Sequence, residues 1–282
     1  VRTAWPETAC QFGAKRRVSL NAKRAYTFAE IPNQTSIADL QTKGFLSSAN
    51  SIMQLAQKTT PYQLYPEMER GMMLTEHRRC FDEIIEYCNR LAYHGFLEPK
   101  KGSAKGIPFA AMQFQPVDGI STVRGGSSRA NPDEAFAIAQ WILANQQQLL
   151  DHYQRGEKAS AANEKRPEKK LSIADIIGVI TPFTGQKYEL TLALRRVGIN
   201  LSGLTIGTVH VLQGAERPVI LFSATYGTND MGKSYFYDRG VNMLNVAVSR
   251  AKDAFILFGC KEILSQNAKT PSGQLYRYIN GL

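Results

Sequence analysis

What this sequence has little of narrows it first. Its four cysteines, Cys10, Cys80, Cys88 and Cys260, form no CxxC pair and no Cys/His cluster with zinc spacing. That predicts free thiols in a reducing compartment and no structural metal. No apolar run approaches the length of a membrane span, and the opening Val-Arg-Thr-Ala-Trp-Pro lacks a signal-peptide pattern. Membrane and secreted classes are therefore disfavoured, and a cytoplasmic protein is expected. Val1 in place of Met predicts a fragment or a processed chain. Acidic residues are in deficit: 24 Asp and Glu stand against 34 Lys and Arg, for a net charge of +10 over 282 residues. Such a balance favours a polyanionic partner. Half of the excess lies before residue 25, where Arg2, Lys15, Arg16, Arg17, Lys23 and Arg24 face Glu7 alone. This stretch reads as a solvated basic tail or as an arm that touches nucleic acid.

Residues 1–72 lack a strong hydrophobic period and are broken by Pro6, Gly13, Pro32, Gly44, Pro61 and Pro66. They read as an irregular connector, or as the remnant of a preceding domain, with short helical pieces such as Ser51 to Gln57. From residue 73 to 282 apolar strands and periodic helices alternate. That pattern predicts an α/β domain whose mainly parallel sheet is covered by helices on both faces. Met72–Thr75 is a candidate strand, followed by the polar turn Glu76-His-Arg-Arg-Cys80. In the helix predicted from Phe81 to Tyr93, Ile84, Tyr87, Cys88 and Leu91 recur at helical spacing. Phe109–Phe114 is the next candidate strand. Asn131-Pro-Asp-Glu134 is a helix start, with Asn as N-cap, Pro at the first helical position and Glu closing a capping box. Its helix is predicted to reach about Leu150 with Phe136, Ala139, Ile142 and Leu143 inward. A charged insertion at about residues 151–171 has little to bury and is expected to be exposed and mobile.

Ile173–Ile180 is apolar and β-branched, as in a buried parallel strand. It delivers Thr181-Pro-Phe183, where Thr181 can bond a phosphate and Phe183 can pack beside sugar or base. Alternatively the segment is a plain strand-to-helix turn. Leu204–Val209 and Val219–Ala224 bracket His210-Val-Leu-Gln-Gly-Ala-Glu216; from these residues alone the loop reads as a hairpin. Gly214 permits a turn that other residues would strain, and the Glu216 carboxylate can accept from a ribose hydroxyl. Asn242–Lys252 contains no Gly or Pro. Leu244, Val248 and Ala251 would share a buried helical face, Asn245, Ser249 and Lys252 a second one, and Arg250 lies between. Ala254–Gly259 is then a buried strand. An Arg held on such a scaffold presents a planar fork to phosphate with little freedom left to lose.

Gly227-Thr-Asn-Asp-Met-Gly-Lys-Ser234 matches the phosphate-loop pattern letter for letter. It is nevertheless read as a decoy. A phosphate loop needs a long helix starting at its Lys, and Gly240 arrives too soon after Lys233. No later strand ends in a carboxylate pair suited to magnesium.

Taken together, Leu74-Thr-Glu-His-Arg-Arg79, Thr181-Pro-Phe183, Gln213-Gly-Ala-Glu216 and Asn245-Val-Ala-Val-Ser-Arg250 occur in the order of the motor motifs of superfamily 1 helicases. The chain resembles the second motor domain of the nonsense-decay and Okazaki-maturation type, from about Ile31 onward. Glu76, His77 and Arg79 depart from the family's more usual Gln-Tyr-Arg-Met. The resemblance implies a RecA-like P-loop NTPase fold and ATP with Mg2+ bound in a cleft shared with an N-terminal motor domain. It makes Arg78 and Arg250 the arginine fingers. Gln213, Gly214 and Glu216 become the loop that couples nucleotide to the bound strand. Thr181, Pro182, Phe183, Thr208 and His210 become the contacts to single-stranded DNA or RNA. The chain alone is expected to be inactive. A nucleic-acid-binding module that kept the fold and lost the motor is the alternative.

Overall fold

The apolar runs assemble into a five-stranded sheet with every neighbouring pair parallel. The computed structural model describes residues 52–66, 68–124, 128–209 and 216–281. The basic N-terminal stretch, His210, Gln213 and Gly214 lie outside these described residues. The chain divides into two compact units, Val1–Leu74 and Thr75–Leu282. In the first, helix α1 (Ile52–Thr59) is followed by a bridge between Gln63 and Gly71.

In the second unit, β1 (Glu76–His77) pairs in parallel with β2 (Glu98–Pro99) across helix α2 (Asp82–Ala92). The strand expected at Met72–Thr75 therefore begins later. Met72 and Leu74 are exposed and make no ladder. β3 (Met112–Pro116) starts three residues beyond the expected Phe109. β4 (Thr122–Arg124) and β5 (Ser128–Ala130) form a separate antiparallel pair. The main sheet is completed by β6 (Ile177–Ile180), β7 (Thr205–Gly207), β8 (Arg217–Ser223) and β9 (Ala251–Gly259), in the order β3-β9-β8-β6-β7. Because β6 lies between β7 and β8, the segment joining those two strands is a crossover and not the hairpin that its flanks suggested. It leaves the carboxyl edge of the sheet after Gly207 and re-enters at the amino edge before Arg217.

Alternation along the buried strands divides the core. Ile177, Val179, Val219, Leu221, Ala254, Ile256 and Phe258 pack against α3 (Pro132–Glu164), α4 (Ile173–Ile176) and α5 (Thr184–Arg196). The intervening Ile220, Phe222, Phe255 and Leu257 are equally buried. They point to the other face, where α2, α6 (Asn242–Val248) and α8 (Pro271–Ile279) meet β9 and β3; α7 (Lys261–Ser265) precedes α8. This is the expected RecA-like α/β architecture with helices on both faces. Among the described residues no helix is long and apolar enough to cross a membrane.

Three elements differ from expectation for physical reasons. α3 does not stop near Leu150; it runs to Glu164, 33 residues or ~50 Å. The Gln-, Ala-, Glu- and Lys-rich continuation has high helix propensity and extends an existing nucleus. The Tyr153 hydroxyl donates to Asp253 Oδ2 at 2.9 Å, and Ala161 is buried, so the first part of the segment is docked, while residues 162–170 are exposed as expected. The inward face of α3 is Ala135, Ile138, Ala139, Ile142 and Leu149, whereas Phe136 and Leu143 are exposed. The apolar run at Ile173 opens with a helical turn, because Ser172 and Asp175 bond across it, before β6 begins. Finally, α6 ends at Val248 and β9 starts at Ala251. Arg217 N–H donates to Arg250 C=O at 3.1 Å, which draws the chain into the sheet three residues early. Ser249, the C-cap of α6, still donates its N–H to Asn245 C=O at 3.1 Å, whereas Lys252 lies in β9 and shares no helical face with Asn245.

Candidate functional site

At the amino edge of β8 and β9 one carboxylate gathers cations. Glu216, the residue before β8, pairs through one oxygen with Arg79 Nε at 2.5 Å and through the other with Lys252 Nζ at 2.6 Å. The Lys252 hydrogen bond, with the charges of Lys252, Arg79 and Arg250, holds its pKa below the usual carboxylate value, against a partial burial penalty. Arg250 occupies the turn between α6 and β9, and its Nε is buried with no hydrogen-bond partner among the described residues. A buried guanidinium N–H left unpaired is costly, so such a group is poised for an acceptor from outside. Three cations around one carboxylate leave room for anionic charge.

The turn that carries Arg79 is fixed on both sides. His77 Nε2 accepts from Cys80 N–H at 3.2 Å, and Phe81 N–H donates to Lys252 C=O at 3.0 Å. Burial, then the charges of Arg79 and Lys101, push the His77 pKa down, in the direction that favours the neutral ring this acceptor role needs. Lys101 Nζ donates to Lys252 C=O and pairs with Asp253 at 2.7 Å, bracing the start of β9. Arg78 behaves differently. Its guanidinium folds back on Glu76 at 2.7 Å and is exposed. Of the two adjacent arginines, Arg79 and not the expected Arg78 converges with Arg250 on Glu216. Each oxygen of Glu216 already accepts from one cation, and its side chain is 35% exposed.

The carboxyl edge holds the second group. Thr181, directly after β6, is fully buried, and its hydroxyl lies 3.0 Å from that of Thr225. It therefore offers no open hydroxyl to a phosphate. Its N–H donates to Gly207 C=O, which joins the Thr-Pro-Phe loop to the end of β7 beside half-buried Thr208. Pro182 is buried. Phe183 is half-buried, edge-on to Tyr226 at 5.4 Å between ring centres.

Glu134 anchors this edge. It is fully buried, accepts from Ser223 Oγ at 2.5 Å, and takes the Thr225 N–H at 3.0 Å. Gln186 bonds both Ser223 and the Asn131 backbone. Asn131 caps α3 through the Glu134 N–H as expected, but Glu134 does not close the capping box; Asn131 N–H goes to Gln186 instead. Thr225, a β-branched residue, sits at φ +75°. Left-handed backbone at such a residue costs ~1–3 kcal/mol and persists where its surroundings over-determine it, commonly at functional sites. The sequence reading missed Glu134 as a node. A signal was present: Glu134 falls at i, i+4, i+8 with Ile138 and Ile142, on the buried stripe.

The phosphate-loop look-alike closes on itself. Lys233 Nζ pairs with buried Asp230 at 2.7 Å, and Asp230 also takes Arg129 at 2.6 Å, the Ser121 hydroxyl and the Gly227 N–H. Only a short 3-10 turn, Phe236–Asp238, follows Lys233. Among the described residues one trio of possible metal ligands, Asp118, Cys260 and Glu262, comes together. Two of the three are exposed carboxylates, and burial pushes the thiol pKa up, away from the thiolate a metal needs.

Residues 49–262 match the family model described as AAA domain, and the chain belongs to that family. Among curated proteins it is similar to the RNA helicase Mov10l1 of Homo sapiens, 26% identical over 227 residues, or 74% of this chain and 17% of the relative. It is similar to regulator of nonsense transcripts 1 of Dictyostelium discoideum, 30% identical over 111 residues, 37% of this chain and 8% of that protein. Helicase sen1 of Schizosaccharomyces pombe is 36% identical over 90 residues, 31% of this chain and 5% of the relative. The chain spans less than a fifth of each of these proteins.

Proposed function

We propose that this chain is the second RecA-like motor domain of an ATP-dependent superfamily 1 helicase. In this reading ATP and Mg2+ are bound mainly by a first motor domain, and this one supplies cations to the transferred phosphoryl group. The observation that carries it is the pairing of Arg79 and Lys252 with Glu216, whose carboxylate also feels the charge of Arg250, while Arg250 Nε has no partner among the described residues. Their charge suits a triphosphate, and no acidic pair among them suits the magnesium. Bound Mg2+ would neutralise charge between the phosphates; this domain's part is placement of guanidinium groups. When the two domains close, the terminal phosphate competes with Glu216 for Arg79 and satisfies Arg250. Groups held ready in this way act on charge as it develops, without reorganising.

The nucleic-acid strand is assigned to the carboxyl edge, along Phe183 and Thr208, with Thr181 and Pro182 buried beneath as supports. His210, Gln213 and Gly214 keep the roles that the resemblance implies. The crossover from Thr208 to Glu216 joins the strand edge to the cation edge, which is the connection a coupled motor requires. A titration of labelled single strand into protein that includes the upstream segment, with and without a non-hydrolysable ATP analogue, tests the reading. Affinity is expected to change with nucleotide, and log K to fall with log salt by about 0.7 per phosphate contacted. Indifference to nucleotide would favour the binding module.

A further inference from the structure

We propose that Phe236, with Arg239 beside it, is a stacking platform for an unpaired nucleobase of the strand assigned to the carboxyl edge. The proposal rests on that assignment and adds residues and a contact chemistry that it does not contain. Phe236 lies in the 3-10 turn that follows the phosphate-loop look-alike, between the buried Tyr235 and Tyr237. It alone of these three rings is open to solvent, at 37% exposure. The turn is rigidly held: Phe236 N–H donates to the Tyr226 hydroxyl at 2.8 Å, and the Tyr235 hydroxyl reaches Gln266 at 2.9 Å.

Its ring centre lies 5.9 Å from that of Phe183, tilted by 42°, so the two rings form one ledge beside the Thr-Pro-Phe loop. The Arg239 guanidinium stands 5.3 Å over the Phe236 ring. The arrangement repeats on α5, where Arg124 lies 4.6 Å over exposed Tyr188. The Phe236 ring is thus held on one side by its packing against Phe183 and leaves part of its surface open to solvent, with a guanidinium at hand. Those two groups are what single strands use: a π-face for a base and a cation for the adjoining phosphate. Sequence-tolerant stacking also suits a motor that moves along any strand.

Binding is to be measured by fluorescence anisotropy at low salt. The probes are a short pyrimidine single strand and a strand of equal length carrying abasic sites. The wild-type chain is expected to prefer the base-bearing strand. Phe236→Ala should weaken that strand about ten-fold or more while barely changing the abasic one. Phe236→Trp should retain the preference. Arg239→Ala should weaken both strands and reduce the salt slope by about one phosphate's share. A thermal melt of Phe236→Ala matching wild type confirms that the fold is kept. If Phe236→Ala binds both strands as wild type does, the platform is overturned and the strand assignment stands. If the wild-type chain binds neither strand, both fall.

Discussion

Replacing Arg250 by Ala in the intact motor is expected to lower ATP turnover by about three to five orders of magnitude, the contribution of arginine fingers in related phosphoryl-transfer enzymes. Arg79→Ala should fall in the same range, and Arg78→Ala should cost little. The asymmetry between neighbouring arginines follows from geometry: Arg79 reaches Glu216, whereas Arg78 is spent on Glu76 at the surface. The losses should appear in kcat with KM nearly unchanged, because the charge these groups meet develops in the transition state. The Arg79, Arg250 double variant should lose much less than the product of the two single losses, since the proposed reading directs both at one phosphoryl group. Hydrolysis measured across ATP concentrations at saturating strand reads kcat and KM for all four variants. A large loss at Arg78 together with a small one at Arg79 would reverse the assignment.

The second large effect concerns stability against pH. Burial pushes the Glu134 pKa up to about 8, although Ser223 and Thr225 donate to it. In the unfolded chain the same carboxyl titrates near its ordinary 4.5. Between those values the folded protein holds a proton that the unfolded chain has lost. Stability from this group is therefore complete below the lower value and is lost as pH rises through the upper one. The slope is about 1.4 kcal/mol per pH unit at its steepest. Urea midpoints of wild type should drop relative to those of Glu134→Gln as pH is raised from about 5 to about 8, because the amide stays neutral throughout. Parallel pH profiles for the two proteins would show that Glu134 carries its charge inside. Glu134→Ala should be worse than Gln at every pH, since it strands the Thr225 N–H and the Ser223 hydroxyl in the core.

Much of the architecture was legible wherever one buried face imposed a period. The stripe Ile84, Tyr87, Cys88 and Leu91 is the buried face of α2, Asn131 caps α3, and the apolar strands lie near their expected places. Ends moved where a distant partner decided them. Arg217, remote in sequence, pulls Arg250 out of α6 and into the β8–β9 ladder. Asp253 and Tyr153 dock a helix whose polar composition suggested nothing to bury. The RecA-like fold was read through motif order, which local periodicity could not supply. At the site the edges were legible and the individual atoms were not. Which of two adjacent arginines turns inward depends on the short β1–β2 pairing and on a carboxylate contributed by the far side of the β7–β8 crossover. Nothing in the sequence showed that the Thr181 hydroxyl would be turned in upon Thr225. By contrast, the rejection of Gly227–Ser234 as a phosphate loop came from a missing helix, a feature of local pattern, and the Asp230–Lys233 pair closes that loop.

The central claim is that this chain completes a nucleotide site without containing one. ATP turnover by the purified chain alone, with Lys233→Ala as the companion variant, tests it most directly. No turnover is expected from either protein, with or without single strand. Hydrolysis by the wild-type chain that disappears in Lys233→Ala would place a whole phosphate-binding site within these residues and contradict the account.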